Sequence, residues 1–91
     1  VKVRWARTAT QDLASIIRHI RHDNPRAAKR VKATISEELA TLTTMPLRGR
    51  HGMVEGTREI VFAPLPYIAV YLVFRDEVQI LRIRHAAQEW P

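Results

Sequence analysis

Three β-rich runs close this sequence and leave few folds open to it. The first is Thr57–Ala63. A Pro64-Leu65-Pro66 break leads to Tyr67–Phe74, which carries no charge, and Arg75-Asp76 leads to Val78–Arg84, with His85 at its end. Runs of this length, rich in β-branched and aromatic residues and separated by turn signals, predict a small antiparallel sheet. Tyr67–Phe74 is apolar on both faces and is read as an interior strand. The Arg75-Asp76 turn lacks the glycine that the tightest hairpins favour.

The upstream half supplies elements that cover such a sheet. Val1, Val3 and Trp5 alternate with Lys2 and Arg4, the period of a half-buried strand. Thr8 is expected to open a helix, with Gln11 as the return half of a capping box. Ala9, Leu13, Ile16, Ile17 and Ile20 form one apolar stripe, with Arg18, His19, Arg21 and His22 largely outside it, and the helix should end near Asp23. Asn24-Pro25 then restarts the chain as N-cap and first helical residue. The second stripe, Ala28, Val31, Ile35, Leu39 and Leu42, carries this helix to about Thr44, where Met45-Pro46 stops it. The short join makes the two helices an antiparallel hairpin. Leu47–Gly56 reads as an irregular loop. The expectation is one α+β domain over residues 1–91, of order β-α-α-β-β-β. The helical hairpin covers one face of an antiparallel-rich sheet, and the other face is left for solvent or a partner.

A chain of 91 residues buries only about two-thirds of its unfolded surface and gains from a partner. It has no cysteine, so neither a disulfide frame nor a thiolate metal site is possible. Lys2, Arg4 and Arg7 interrupt what would be the apolar core of a signal peptide. Ile60–Phe74 is shorter than the roughly 20 residues a spanning helix needs. These features predict a soluble, cytoplasmic protein with no membrane partner. The net charge of +6 directs the chain toward anions: nucleic acid, an acidic protein or, ranked last, a membrane surface.

Candidate site residues gather on the sheet. His85 follows Arg82-Ile83-Arg84, so it is either a general acid/base or anion contact flanked by guanidinium groups, or a strand-end histidine beside ordinary surface arginines. Period-two geometry puts Arg82 and Arg84 on one face and His85 nominally on the other, unless a bulge brings it round. Arg58 could join those arginines if the register allows, whereas Glu59 is read as a structural ion-pair partner. Tyr67 and Tyr71 share a face and are read either as stacking platforms for bases or as packing residues. Arg48 and Arg50 lie in the mobile loop and are candidate partner contacts. His19, His22 and His51 lack the spacing of a metal site, and neither metal nor cofactor is expected. Ser15 and Ser36 sit inside helices with no mark of a nucleophile.

Together these residues resemble a known family. The start Val1-Lys2-Val3-Arg4-Trp5, the helix with Asp12-Leu13, and Asn24-Pro25-Arg26-Ala27-Ala28 resemble the RelE/ParE superfamily of bacterial toxins. So do Gly56-Thr57-Arg58-Glu59-Ile60, Pro66-Tyr67-Ile68 with Tyr71, and Ile80-Leu81-Arg82-Ile83-Arg84-His85 with Trp90-Pro91. The resemblance spans the chain in order. It implies the toxin half of a type II toxin–antitoxin pair, a strand-helix-helix-three-strand fold, and a cognate antitoxin that wraps it.

The superfamily divides by target. RelE-like members cut messenger RNA on the ribosome without a metal, and ParE-like members trap DNA gyrase on cleaved DNA. RelE-like nucleases carry an arginine just after the tyrosine that opens the strand, where this sequence has Ile68. They also often continue with further basic or tyrosine positions past the last strand, where this sequence has Trp90-Pro91. The Arg58-Glu59-Ile60 and Pro66-Tyr67-Ile68 segments resemble the ParE arm. The resemblance therefore implies a ParE-like gyrase poison first and an RNA-cleaving toxin using His85, Arg82 and Arg84 second. A non-toxic module acting only within an antitoxin complex is third.

Overall fold

The computed structural model of the chain describes residues 1–88. β1 spans Lys2–Trp5, α1 Arg7–Asp23, α2 Pro25–Ala40, β2 Arg50–His51, β3 Thr57–Val61, β4 Tyr67–Phe74 and β5 Glu77–His85. The strands form one sheet in the order β1-β5-β4-β3-β2, parallel only between β1 and β5. The α+β expectation holds, with one strand more than predicted. Arg50-His51 of the anticipated loop pairs antiparallel with Arg58-Glu59. The Trp90-Pro91 part of the resemblance lies outside the described residues.

Both helical stripes fold onto one face of the sheet. Val31, Ile35, Leu39 and Leu42 from the α2 side are buried with Ile60, Ala69, Tyr71, Val78 and Ile80, while Leu13, Ile16, Ile17 and Ile20 of α1 pack against this core. Burying each large aliphatic side chain contributes about 1.5–3 kcal/mol, so this seam holds the helices on the sheet. Asn24 caps α2, its Oδ1 accepting from the Ala27 N–H at 3.0 Å, and Pro25 opens the helix. α2 ends four residues short of the expected stop because Thr41–Thr43 tighten into a 3-10 turn. Such tightening is common at helix ends.

The start of α1 differs from the sequence expectation. Ala6, not Thr8, precedes the first helical residue and makes no side-chain cap. The Thr8 hydroxyl instead donates to the Leu81 carbonyl at 2.8 Å. The reason lies in the edge of the sheet. β1 follows β5 only as far as Trp5 opposite Ile80, which would leave the outer edge of Leu81–His85 without a strand. The first turns of α1 take over there. Ala6 N–H donates to the Ile80 carbonyl at 2.9 Å, Thr8 takes the Leu81 carbonyl, and Asp12 Oδ2 accepts from the Ile83 N–H at 3.0 Å. An exposed strand edge is thereby covered.

β5 also carries a bulge where this happens. Tyr71 pairs with Ile80 but Val70 pairs with Arg82, so Leu81 is the extra residue. A bulge shifts every later side chain by one position relative to the pleat. Val78 and Ile80 before it and Ile83 after it consequently all enter the core.

The face turned from the helices is less bare than expected. Ile68 and Val70 are buried there, as is Glu59, only 3% exposed. Glu59 Oε1 accepts from Arg50 Nε at 3.0 Å and lies 2.9 Å from Arg50 Nη2 in the same ion pair, and Oε2 lies 3.4 Å from Arg84 Nη2. A buried carboxylate needs such partners, and the structural reading of Glu59 fits what is seen.

Candidate functional site

The chemistry-bearing residues divide among three places. At the far end of β5, a cleft of about 310 Å³ opens between α1 and the β4–β5 pair, lined by Asp12, Ser15, His19, Tyr67, Arg82 and His85 among others. Tyr67 and His85 are register partners, with ring centroids 5.7 Å apart in an edge-on contact. His85 is exposed. Its Nδ1 lies 3.1 Å from the Ala87 N–H and accepts from it, so Nε2 carries the proton of the neutral ring. The His85 N–H donates to Gln88 Oε1 at 2.9 Å. A turn thus fixes the histidine at the mouth of the cleft.

Arg82 enters this cleft from the strand edge. Its Nε and Nη2 donate to Asp12 Oδ2 at 2.7 Å and Oδ1 at 3.1 Å, a two-pronged ion pair. The hydrogen bond to Asp12, with the carboxylate charge added to it, raises the Arg82 pKa above its ordinary value despite some desolvation. The guanidinium stays charged, yet that charge is already answered.

Arg84 goes elsewhere. It pairs across the sheet with Ile68, its side chain reaches Glu59, and its Nη1 donates to the Gln88 carbonyl at 2.9 Å. The register keeps Arg82 and Arg84 in step, opposite Val70 and Ile68, as the period-two reading expects, but their side chains part: Arg82 turns over the strand edge to Asp12 and Arg84 reaches Glu59. His85 and Arg82 line one cleft, and Arg84 does not.

The remaining sequence candidates form a structural cluster. Tyr71 is fully buried, its hydroxyl donating to the Pro46 carbonyl at 2.8 Å and accepting from the Gly49 N–H at 2.9 Å. Burial leaves no ring face for a base, so Tyr71 is a packing residue. Arg58 donates to the Leu47 and Gly49 carbonyls at 3.0 Å and 2.8 Å. It does not reach Arg82 or Arg84. Arg48 pairs with Glu38 and donates to Thr41 Oγ1. The loop read as mobile is held by four side chains. Gly49 fits because a Cβ there would lie 2.6 Å from the Tyr71 hydroxyl and 2.8 Å from the Glu59 carbonyl. Arg50 keeps an exposed side chain while pairing with Glu59.

Sequence reasoning missed Asp12 as an organiser of the site. The available signal was a carboxylate beside the apolar stripe in the body of a helix whose one other carboxylate, Asp23, is its last residue. Ser15 and His19 follow it into the cleft by helical spacing. His22 instead pairs with Asp23. Among the described residues no three His, Cys, Asp or Glu side chains converge as metal ligands would. No described helix is long and apolar enough to cross a membrane.

Known proteins resemble this chain over nearly its whole length. The family model for the ParE toxin of the type II toxin–antitoxin system parDE matches residues 3–90. The Y4kP protein of Sinorhizobium fredii, a candidate toxin by name, is 42% identical over 99% of this chain and 93% of its own. Toxin RelE2 of Caulobacter vibrioides is 37% identical, covering 96% and 97%. A chain in the structure of the chromosomal ParDE TA system from P. aeruginosa superposes with a TM-score of 0.86 at 30% identity, covering 93% of this chain and 95% of that one. A copper-bound mutant toxin from Helicobacter pylori shares the fold, with a TM-score of 0.66 at 22% identity over 93% of both chains. By family match, identity and fold together, this chain belongs to the ParE toxin family of type II toxin–antitoxin systems.

Proposed function

We propose that this toxin inhibits DNA gyrase in the ParE manner, by binding rather than by chemistry of its own, and that a cognate antitoxin neutralises it. One observation carries the choice of target. Arg82 and Arg84, the two cations that a metal-free nuclease would aim at a scissile phosphate, part company at β5 and settle on Asp12 and Glu59. An arginine already paired with a carboxylate must give up part of that pairing before it can clamp a transition state, which subtracts from what it could contribute. Ile68 occupies the position where nuclease relatives carry a further arginine, and it is buried. The ParDE assembly containing the similar chain supports an antitoxin partner.

The second reading, RNA cleavage on the ribosome, rests on the Tyr67–His85 contact beside Arg82 and on the likeness to Toxin RelE2. Histidine at that mouth could move a proton. Supercoiling assays with purified wild-type and His85→Ala protein separate the two. Gyrase inhibition that survives the substitution within threefold supports binding. An inert toxin toward gyrase, with ribosome-dependent cleavage that falls about 10²–10⁴-fold on losing His85, overturns it in favour of the nuclease.

A further inference from the structure

The cations that sequence reasoning singled out are answered inside the molecule, and the unanswered charge sits elsewhere. Arg4, Arg48, Arg50, Arg82 and Arg84 each rest on a carboxylate, and Arg58 rests on two carbonyls. The segment from Arg18 to Lys32, the closed end of the helical hairpin, is different. It holds six cations, Arg18, Arg21, Arg26, Lys29, Arg30 and Lys32, against one carboxylate, Asp23, and so accounts for five of the chain's six net positive charges. All six are exposed. Among the described residues none of them forms an ion pair.

Their placement is ordered. Arg26, Lys29 and Arg30 follow spacings of three and four on α2 and share one face. Arg18, Arg21 and Lys32 meet across the two helices at the rim of a groove of about 370 Å³. Like charges so spaced destabilise a helix by a few tenths of a kcal/mol per pair, a standing cost that an anionic partner would remove.

We propose that this hairpin end is a binding surface for the phosphate backbone of duplex nucleic acid, read without regard to sequence. Protein partners are anchored by exposed apolar or aromatic residues, and none of the exposed large apolar side chains falls between Arg18 and Lys32. Leu13, Ala14 and Ile17 line the groove itself, but the exposed side chains around it are six cations, two-thirds of them arginine with forked donors, which suits phosphates. Gyrase and the ribosome both hold nucleic acid, so the contact serves either target and stands apart from the choice between them.

The test is fluorescence anisotropy of a labelled random-sequence DNA duplex with the purified full chain across a salt series. If about four of the six cations reach phosphates, affinity falls with a log–log salt slope of about −3.5, roughly 10²-fold between 50 and 200 mM salt. Substituting Arg26→Ala, Lys29→Ala and Arg30→Ala together keeps good helix formers in place and should reduce that slope by about 2.7. The control pair Lys2→Ala and Arg75→Ala, which removes as much charge per site elsewhere, should leave it within about 0.5 of wild type. The proposal is overturned by absence of duplex binding at 50 mM salt or by an unchanged slope in the triple variant. It is also overturned if a polyglutamate peptide binds more tightly than the duplex, which would assign the groove to an acidic protein segment.

Discussion

Removing the Asp12 carboxylate tests how the site is held together. Asp12→Ala deletes two donors' worth of ion pair to Arg82 and the acceptor of the Ile83 N–H. The side chains of Arg82 and Asp12 are 43% and 19% exposed, so solvent screens the pair and its loss is worth about 1 kcal/mol or less. The Ile83 N–H is different, because Ile83 is only 2% exposed. Leaving a buried donor without an acceptor costs about 1–3 kcal/mol. The two together come to about 1–4 kcal/mol, centred near 2–3 kcal/mol, a large share of the roughly 5–15 kcal/mol that holds a domain folded. For a chain of this size it corresponds to a fall in Tm on the order of 10–20 °C. Asp12→Asn keeps an acceptor for Ile83 and should cost only about 1 kcal/mol. Thermal and urea unfolding followed by circular dichroism give both numbers, and amide exchange at Ile83 should accelerate in Asp12→Ala alone. A cycle with Arg82→Ala should return a coupling of about 1 kcal/mol or less. If Asp12→Ala stays within about 0.5 kcal/mol of wild type, Asp12 does not complete the β5 edge and the reasoning fails. If Asn costs as much as Ala, charge rather than the edge hydrogen bond is what matters.

Other perturbations follow from the same contacts. Tyr71→Phe strips the Gly49 N–H and Pro46 carbonyl of their partner and should cost about 2 kcal/mol in urea unfolding. Gly49→Ala forces a Cβ to 2.8 Å from the Glu59 carbonyl oxygen and should cost about 3 kcal/mol or more, since backbone cannot step aside as a side chain can. Wild-type stability in either variant would show that the loop is not pinned. Glu59→Gln leaves Arg84, whose side chain is 11% exposed, without its countercharge and should destabilise by about 3 kcal/mol. A neutral outcome there would mean that water already solvates the pair. His85→Ala should leave the Tm nearly unmoved because the ring is exposed, and a large drop would make it structural.

The sheet and the two stripes were legible because they rest on periodicity, which needs no knowledge of neighbours. Ala28, Val31, Ile35 and Leu39 enter the core as a helix period requires, and Asn24-Pro25 opens α2 through chemistry contained in two residues. The β5 bulge was not legible. It is a mismatch of count between two strands, and only the pairing of Val70 and Tyr71 with Arg82 and Ile80 reveals it. That one extra residue sets the face of every side chain from Arg82 to His85 relative to Val78 and Ile80, and the turn of Arg82 toward Asp12 is equally invisible in the sequence. Thr8 was misread for a related reason: its hydroxyl has a free carbonyl at Leu81 to bind, 73 positions away in sequence, and that competes with the local cap. Arg48, Arg50 and Arg58 looked available because carbonyls and carboxylates brought near by the fold are invisible in the sequence. The hairpin cations were passed over for the opposite reason, since charges outside an apolar stripe look like an ordinary solvated face.

The most direct measurement incubates the purified, folded chain with DNA gyrase, ATP and relaxed plasmid, and resolves supercoiled, relaxed and linear DNA after denaturing the protein. A gyrase-directed toxin predicts loss of supercoiling with accumulation of cleaved plasmid, reversed by the cognate antitoxin. Full supercoiling and no cleaved plasmid at a saturating excess of toxin would contradict it.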